Sequence, residues 1–225
     1  MKPLISELRE ATELSDLGRA SVQIVHDLKN QLNGLKLYAT FLRKRMEKAP
    51  RPADELETIN KLIAGLERAA TDMTVMVRYG RAIELRRSPG ADLAGILHRS
   101  IENGATIQTE DAIYAGAFDA IALTEALQNI TSCVYAGKEQ ATGNGGDGVI
   151  HLRRDDSAGE PVAVIEWREV NNGASDDLFQ SFAGSNGLRM ALAAKVIKAH
   201  GGDVTGEAHI VRVRLPLEKA EIEGE

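Results

Sequence analysis

Cysteine is nearly absent from these 225 residues, with Cys133 standing alone. One thiol forms no internal disulfide and no thiolate zinc cluster, so redox and metal-scaffold readings fall away and no metal site is expected. Aromatic residues are scarce too, at 4% of the chain. With Leu, Ala, Ile and Val plentiful, that balance fits helix packing better than an aromatic-rich sandwich. No run approaches the roughly 20 apolar residues that cross a bilayer. The opening MKPLISELRE also lacks the apolar centre of a signal peptide. A soluble, cytoplasmic protein is expected. Nor do basic residues dominate: 27 Lys and Arg face 33 Asp and Glu, a net charge of -6. That balance gives no electrostatic reason to expect nucleic acid or an anionic membrane as the main partner. What is present is ordinary globular material, 43% hydrophobic and 27% charged, in a chain long enough for two compact units.

From Leu14 to Met46 the apolar residues follow a heptad, with Leu14, Leu28, Leu35 and Leu42 on one row and Val25, Leu32, Ala39 and Met46 on the other. A long helix with a packing seam is expected. KAPRPADE (48–55) interrupts the pattern, and Leu56, Ile59, Ile63, Leu66, Ala70, Met73 and Val77 resume it in a second helix that runs back. Two such helices expose more apolar seam than one hairpin buries, so a homodimer closing a four-helix bundle is expected. An intramolecular bundle completed by later helices is the alternative.

After Tyr79 the period changes, and the Ser-Pro-Gly at 88–90 reads as a boundary. Beyond it Asp92 caps a short helix to Ile101, a weak strand covers Ala112 to Gly116, and a strong helix runs from Asp119 to Tyr135. Leu123, Ala126, Leu127 and Ile130 share one face of that helix. The glycine-rich KEQATGNGGDG forms a loop, and Val149 to Arg154 with Val162 to Val170 forms an antiparallel hairpin. A helix from Leu188 to His200 ends at Gly201-Gly202, and Ile210 to Leu217 alternates apolar with charged residues. The expected fold is α+β: residues 1–86 a helical hairpin, 87–218 an α/β sandwich, and 219–225 a charged tail.

The first helix carries Val25-His26-Asp27-Leu28-Lys29-Asn30-Gln31-Leu32, and the heptad turns His26 to the exposed side. A neutral imidazole attacks phosphorus near neutral pH, with Asp27, Lys29 and Asn30 close on the same helix. A solvated surface histidine is the commoner explanation of such a string. His98, His151 and His209 read as surface or strand histidines, and Trp167 and Phe182 as core.

His-Asp-Leu-Lys-Asn on a helical hairpin followed by an α/β domain resembles the H-box of bacterial two-component histidine kinases. The similarity runs along nearly the whole chain. Asp119, Leu123, Glu125, Leu127 and Asn129 resemble the N-box helix; VIEWREVNNGAS (164–175) resembles the first glycine box; LFQSF (178–182) resembles the phenylalanine box; and SNGLRMALAAKVIKAHGGDV (185–204) resembles the second glycine box. The resemblance implies a second domain of the histidine-kinase ATPase (Bergerat-like) type and His26 as phosphoacceptor.

Departures from the family pattern collect where nucleotide would bind. Cys133 stands where the family has a second magnesium-binding asparagine, removing an oxygen ligand from a hard ion. Glu169 replaces the adenine-reading aspartate, and Asn171 the first glycine of its motif, leaving Gly173. Ser185 and Arg189 occupy glycine positions around Gly187, so the backbone no longer approaches phosphate over the whole turn. The 18 positions from Glu169 to Gly187 are shorter than the family's usual lid-bearing span. Glu125, Asn129, Cys133, Glu169, Gly173 and Gly187 therefore read as a vestigial nucleotide site, with no ATP or magnesium cofactor of its own. The whole resembles ChpT-type and sporulation-type phosphotransferases. It implies a homodimeric histidine phosphotransfer protein of a phosphorelay, accepting and donating phosphate at His26. Its implied partners are response-regulator receiver domains, which bring the magnesium, and a hybrid histidine kinase. A soluble kinase that labels His26 from ATP, and a regulator that never carries phosphate, are the alternatives.

Overall fold

The computed structural model describes residues 25–47, 53–101, 105–110, 112–135, 148–157, 159–168, 179, 184–207 and 209–219. The chain divides into two compact units, Met1–Ala82 and Ile83–Glu225.

In the first unit, α1 (25–46) and α2 (Ala53–Gly80) form an antiparallel hairpin. Met46 lies by Thr58, Ile59 and Leu62, whereas Lys29 and Asn33 share a groove with Ala70, Thr71 and Thr74. The expected first-helix residues 14–24 lie outside the described set. The two heptad rows part company. Ala39 is 3% exposed and Val25, Leu32 and Met46 are half-buried, while Leu28, Leu35 and Leu42 stay exposed, Leu35 at 53%. On α2, Ile59 and Ile63 are buried and Leu56, Leu66, Ala70, Met73 and Val77 half-buried. Only one row is thus consumed within a single chain. Lys36 Nζ and Glu67 Oε1, 2.8 Å apart, join the helices at the rim.

The second unit is a layered α+β sandwich. Its elements are β1 (Ser88–Asp92), α3 (Leu93–Arg99), β2 (Thr106–Thr109), β3 (Ala115–Phe118), α4 (Ala120–Val134), β4 (Val149–Asp155), β5 (Val162–Arg168), α5 (Gly184–Ala199), β6 (Asp203–Glu207) and β7 (Ile210–Pro216). Five strands form one sheet in the order β2-β4-β5-β7-β6, and β1 pairs with β3 separately. The β4–β5 hairpin is antiparallel, as the turn chemistry of 157–161 implies.

Side chains of successive strand residues point to opposite faces, and here the inner face is a continuous core. Ile150, Leu152, Ala163, Ile165, Trp167, Val211, Val213 and Leu215 pack with Leu93, Leu97, Leu123, Leu127, Ile130, Met190 and Ile197 of the helices. Trp167 is fully buried, and its Nε1 donates to Thr131 Oγ1 at 2.9 Å, so the indole's one polar atom is satisfied inside the core.

Several boundaries differ from the sequence reading. The Ser-Pro-Gly at 88–90 is no linker but the start of β1, whose register against β3 is irregular between Ser88 and Ala91. Proline, lacking an N–H, sits where the ladder is already broken. The weak strand lies at Ala115–Phe118, not Ala112 to Gly116. The helix after Asp92 ends at Arg99, and α5 starts at Gly184, four residues before Leu188. β1, β2 and β6 were not foreseen; they are short and largely polar. Of the expected Val162 to Val170, the described strand reaches Arg168. Residues 138–147 of the expected glycine loop, Phe182, and Ala220 to Glu225 of the charged tail lie outside the described residues. Glu218 is anchored, its carboxylate accepting from Gly90 N at 3.1 Å and its N–H donating to Ala115 O at 2.9 Å.

One joint sets the register of the helical layer. His200, 1% exposed, donates from Nδ1 to Val196 O at 2.9 Å and accepts at Nε2 from the Asp119 N–H at 3.1 Å. The Asp119 carboxylate caps α4 through Ala122 N and also takes Arg86 N. The two glycines that follow have separate reasons. Gly201 ends α5 at φ +82, and a Cβ on Gly202 would lie 2.3 Å from Arg214 O.

Both ring nitrogens of His200 are committed in the neutral form, and burial, helped by the positive charge of Arg87, lowers its pKa. The unfolded chain holds this histidine near its ordinary value of about 6.5. Its contribution is therefore full above that value and is lost as pH falls from there through the lower folded value. Denaturant melts between pH 7.5 and 5.5 should show stability of the second unit falling with acid, with a shallower slope in His200→Gln. Equal slopes for both proteins would contradict this assignment.

Candidate functional site

His26 lies in the first turn of the described part of α1, with its side chain 51% exposed. Asp27 Oδ1 and Asn30 Nδ2 each approach His26 Nδ1 at 3.5 Å. The two contacts are alternatives. Protonated Nδ1 donates to Asp27, whereas deprotonated Nδ1 accepts from Asn30. Neither contact uses Nε2. Helical spacing produces this arrangement, because a residue four along returns to the same face and Asp27 is the immediate neighbour. Lys29, half-buried, turns to the α1–α2 groove with Asn33, Lys36, Glu67 and Thr71. So Asp27 and Asn30 gather at the imidazole, while Lys29 lines the groove beside it.

The stripe continues along α1. Leu37 and Phe41, eleven and fifteen residues after His26, are both exposed, at 54% and 58%. Their spacing places them on the side of α1 that carries His26 and Asn30, away from the Leu28, Leu35 and Leu42 row.

In the second unit, Glu125, Asn129 and Cys133 follow one another at single-turn spacing along α4, all half-buried. Cys133 Sγ points to Asn186 O at 3.8 Å, and burial pushes its thiol up to about 11 despite the nearby charge of Arg189. Such a thiol is neutral at physiological pH. It suits a hard, oxygen-seeking cation poorly, so these residues do not fit the magnesium of a nucleotide complex. Gly187 is buried in the first turn of α5, with Ser185 and Arg189 half-buried beside it. Glu169, Asn171 and Gly173 lie outside the described residues. Among the described residues, no three His, Cys, Asp or Glu side chains converge as a metal site. No described helix is long and apolar enough to cross a membrane.

His98 is exposed, with Nδ1 on Ala94 O at 2.8 Å; His151 lies on β4, and His209 is exposed just before β7. The sequence reading missed the arginine array around buried Glu166, to which Arg153 on β4, Arg168 on β5 and Arg212 on β7 contribute. Its signal was a glutamate inside the apolar run VAVIEWR, matched by arginines at alternate positions of IVRVRLP.

No protein-family model and no curated protein matches the chain. Solved structures do. Full-length ShkA in complex with AMPPNP superposes with a TM-score of 0.57 at 19% identity, over 88% of this chain and 45% of that one. Histidine kinase ThkA in complex with response regulator protein TrrA gives 0.56 at 15% identity, over 96% of this chain and 66% of that one. Histidine kinase AdeS of Acinetobacter baumannii gives 0.53 at 14% identity, over 86% and 98%. This chain thus spans less than half of ShkA and about two thirds of ThkA. The fold is that of a histidine-kinase core: a helical hairpin followed by the ATPase-type sandwich.

Proposed function

We propose that this chain is a histidine phosphotransfer protein, taking phosphate at His26 from one response-regulator receiver and handing it to another. The observation that carries this reading is the half-exposed imidazole on α1 whose two neighbours both address Nδ1. When Nδ1 holds the proton and offers it to Asp27, the lone pair stands on Nε2. Nε2 then attacks the phosphorus of the receiver's aspartyl phosphate. The N–P bond forms, the P–O bond to the aspartate breaks, and the receiver keeps the bonding pair as a carboxylate. The Nδ1 proton remains facing Asp27, which stabilises the charge that develops on the ring. The receiver contributes the magnesium, so this chain needs none of its own for the transfer.

Two apolar sets on α1 divide the labour. Leu28, Leu35 and Leu42 lie beside the row consumed by α2, and a second copy covers them in a four-helix bundle. Leu37 and Phe41, on the His26 stripe, then form the footing for the receiver. The neutral Cys133 thiol in the α4 site favours transfer between proteins over phosphorylation from ATP.

Titration calorimetry with ATP and magnesium should give no heat of binding, and a phosphorylated receiver should label the chain. Micromolar affinity for ATP, with labelling from ATP alone, would replace this reading with that of a kinase.

A further inference from the structure

Just past the end of α2 the chain joins the second unit, and it is fastened there before any strand begins. Gly80 closes α2, β1 opens at Ser88, and Ile83 to Arg87 belong to the second unit. Three points hold this connector. Ile83, half-buried, packs against the core. The Arg86 N–H donates to Asp119 Oδ2 at 2.8 Å, and Arg87 Nη2 donates to Ala199 O at the end of α5. The last two points flank one side chain, because His200 follows Ala199 and its Nε2 accepts from the Asp119 N–H.

His200 is enclosed in its neutral form. Among the described residues, the charged groups that face its ring are the Arg87 guanidinium, on the connector, and the Asp119 carboxylate, at the head of α4. β3 presents the Phe118 ring, with centroids 6.1 Å apart, and β7 meets the turn after His200 with Pro216 and the Arg214 carbonyl. A proton added at Nε2 turns the acceptor of the Asp119 N–H into a donor. The acceptor then at hand is the Asp119 carboxylate, whose Oδ1 is taken by Ala122 N and whose Oδ2 is taken by Arg86 N. Burial would raise the pKa of this carboxyl, but the amides of Ala122 and Arg86 outweigh that and hold it below the usual aspartate value, so it stays ionised in mild acid. Displacing Ala122 would uncap α4, whereas displacing Arg86 frees only the connector. The imidazolium also repels Arg87. Both polar fastenings of the connector therefore oppose the charged ring, and both are gone once the connector has left. The open form binds the proton more tightly, so acid favours it.

We propose that residues 83–87 are a latch on the sandwich, shut while His200 is neutral and released when it takes a proton. Shut, the free tether after α2 is Arg81 and Ala82 alone; released, it runs from Arg81 through Arg87 to the start of β1. A proton at His200 thus lengthens the tether between the two units. The latch stands whether or not His26 carries phosphate.

The test is exchange of the Arg86 amide in the full chain, followed by NMR from pH 7.5 to 5 and corrected for the intrinsic effect of pH. Its protection should fall about tenfold over this range, the effect of a one-unit difference in proton affinity between the shut and open forms. At both ends of the range Arg86 should exchange far more readily than the Ile165 amide in the middle of β5. His200→Gln has no ring to titrate, so Arg86 protection should stay constant in it. Arg87→Gln removes one fastening and the charge that opposes the imidazolium, so protection should be lower at pH 7.5 and its fall with acid shallower. Arg86 protection equal to that of Ile165 would show that the connector opens only with the whole unit, and would overturn the latch. So would an undiminished fall in folded His200→Gln. Should that variant not fold, Arg87→Gln decides alone, and a fall as steep as that of the natural chain ends the proposal.

Discussion

A His26→Gln protein is expected to take no label from a phosphorylated receiver while keeping its oligomeric state and its melt. Glutamine preserves helix propensity and a polar surface, so only the nucleophilic ring nitrogen is lost. Because transfer needs an N–P bond, loss of the nitrogen removes the reaction rather than slowing it. Asn30→Ala should only slow transfer, since Asn30 addresses Nδ1 and not the attacking nitrogen. Asp27→Asn is expected to have the larger effect of the two, because it removes the charge that faces the developing imidazolium. Acid-labile label, counted on gels after incubation with a phosphorylated receiver, decides the matter. If label persists on His26→Gln, or maps to His98 or His200, the site is elsewhere.

If a second copy covers the Leu28, Leu35 and Leu42 row as proposed, a charge placed at Leu35 should separate the two copies without unfolding either chain. Leu35 is 53% exposed in a single chain, so Leu35→Lys is tolerated in the protomer. Buried at a helical interface, the same ammonium costs several kcal/mol, comparable to a marginal stability of about 5–15 kcal/mol. Ile63→Lys is a different experiment. Ile63 is buried inside the hairpin, so that charge should unfold the first unit outright. Light scattering paired with circular dichroism separates the two outcomes. A monomeric natural chain would sink the dimer.

Both heptad rows were legible in the sequence, and so was the identity of the helices, because period and caps are local properties. Asp92 and Asp119 announce their helices by residue type, and both carboxylates accept from first-turn N–H groups. What the pattern does not encode is which heptad row the second helix covers. That depends on how α2 is rotated against α1, a tertiary choice that left Ala39 buried and Leu35 outside. The short strands were missed for a related reason. β2 and β6 are edge strands of four and five residues, with mostly polar or exposed positions, and their pairing is dictated by the neighbouring strand. At the candidate site, His26, Asp27 and Asn30 came together because a helix fixes their separation. The Glu166 array needed three strands in register, and no local spacing reveals that.

The Asp119–His200 hydrogen bond also bears on the order in which the second unit assembles. Its partners are 81 residues apart, and the segment between them includes α4, the β4–β5 hairpin and α5. Closing so long a loop costs entropy before any single hydrogen bond compensates. The hairpin and the two helices, rich in local contacts, form with less of that cost, and the imidazole meets the Asp119 amide only once they have docked. The bond then behaves as a clasp on a finished assembly. Exchange of the Asp119 amide with solvent reports the opening of that whole unit rather than the fraying of one helix end.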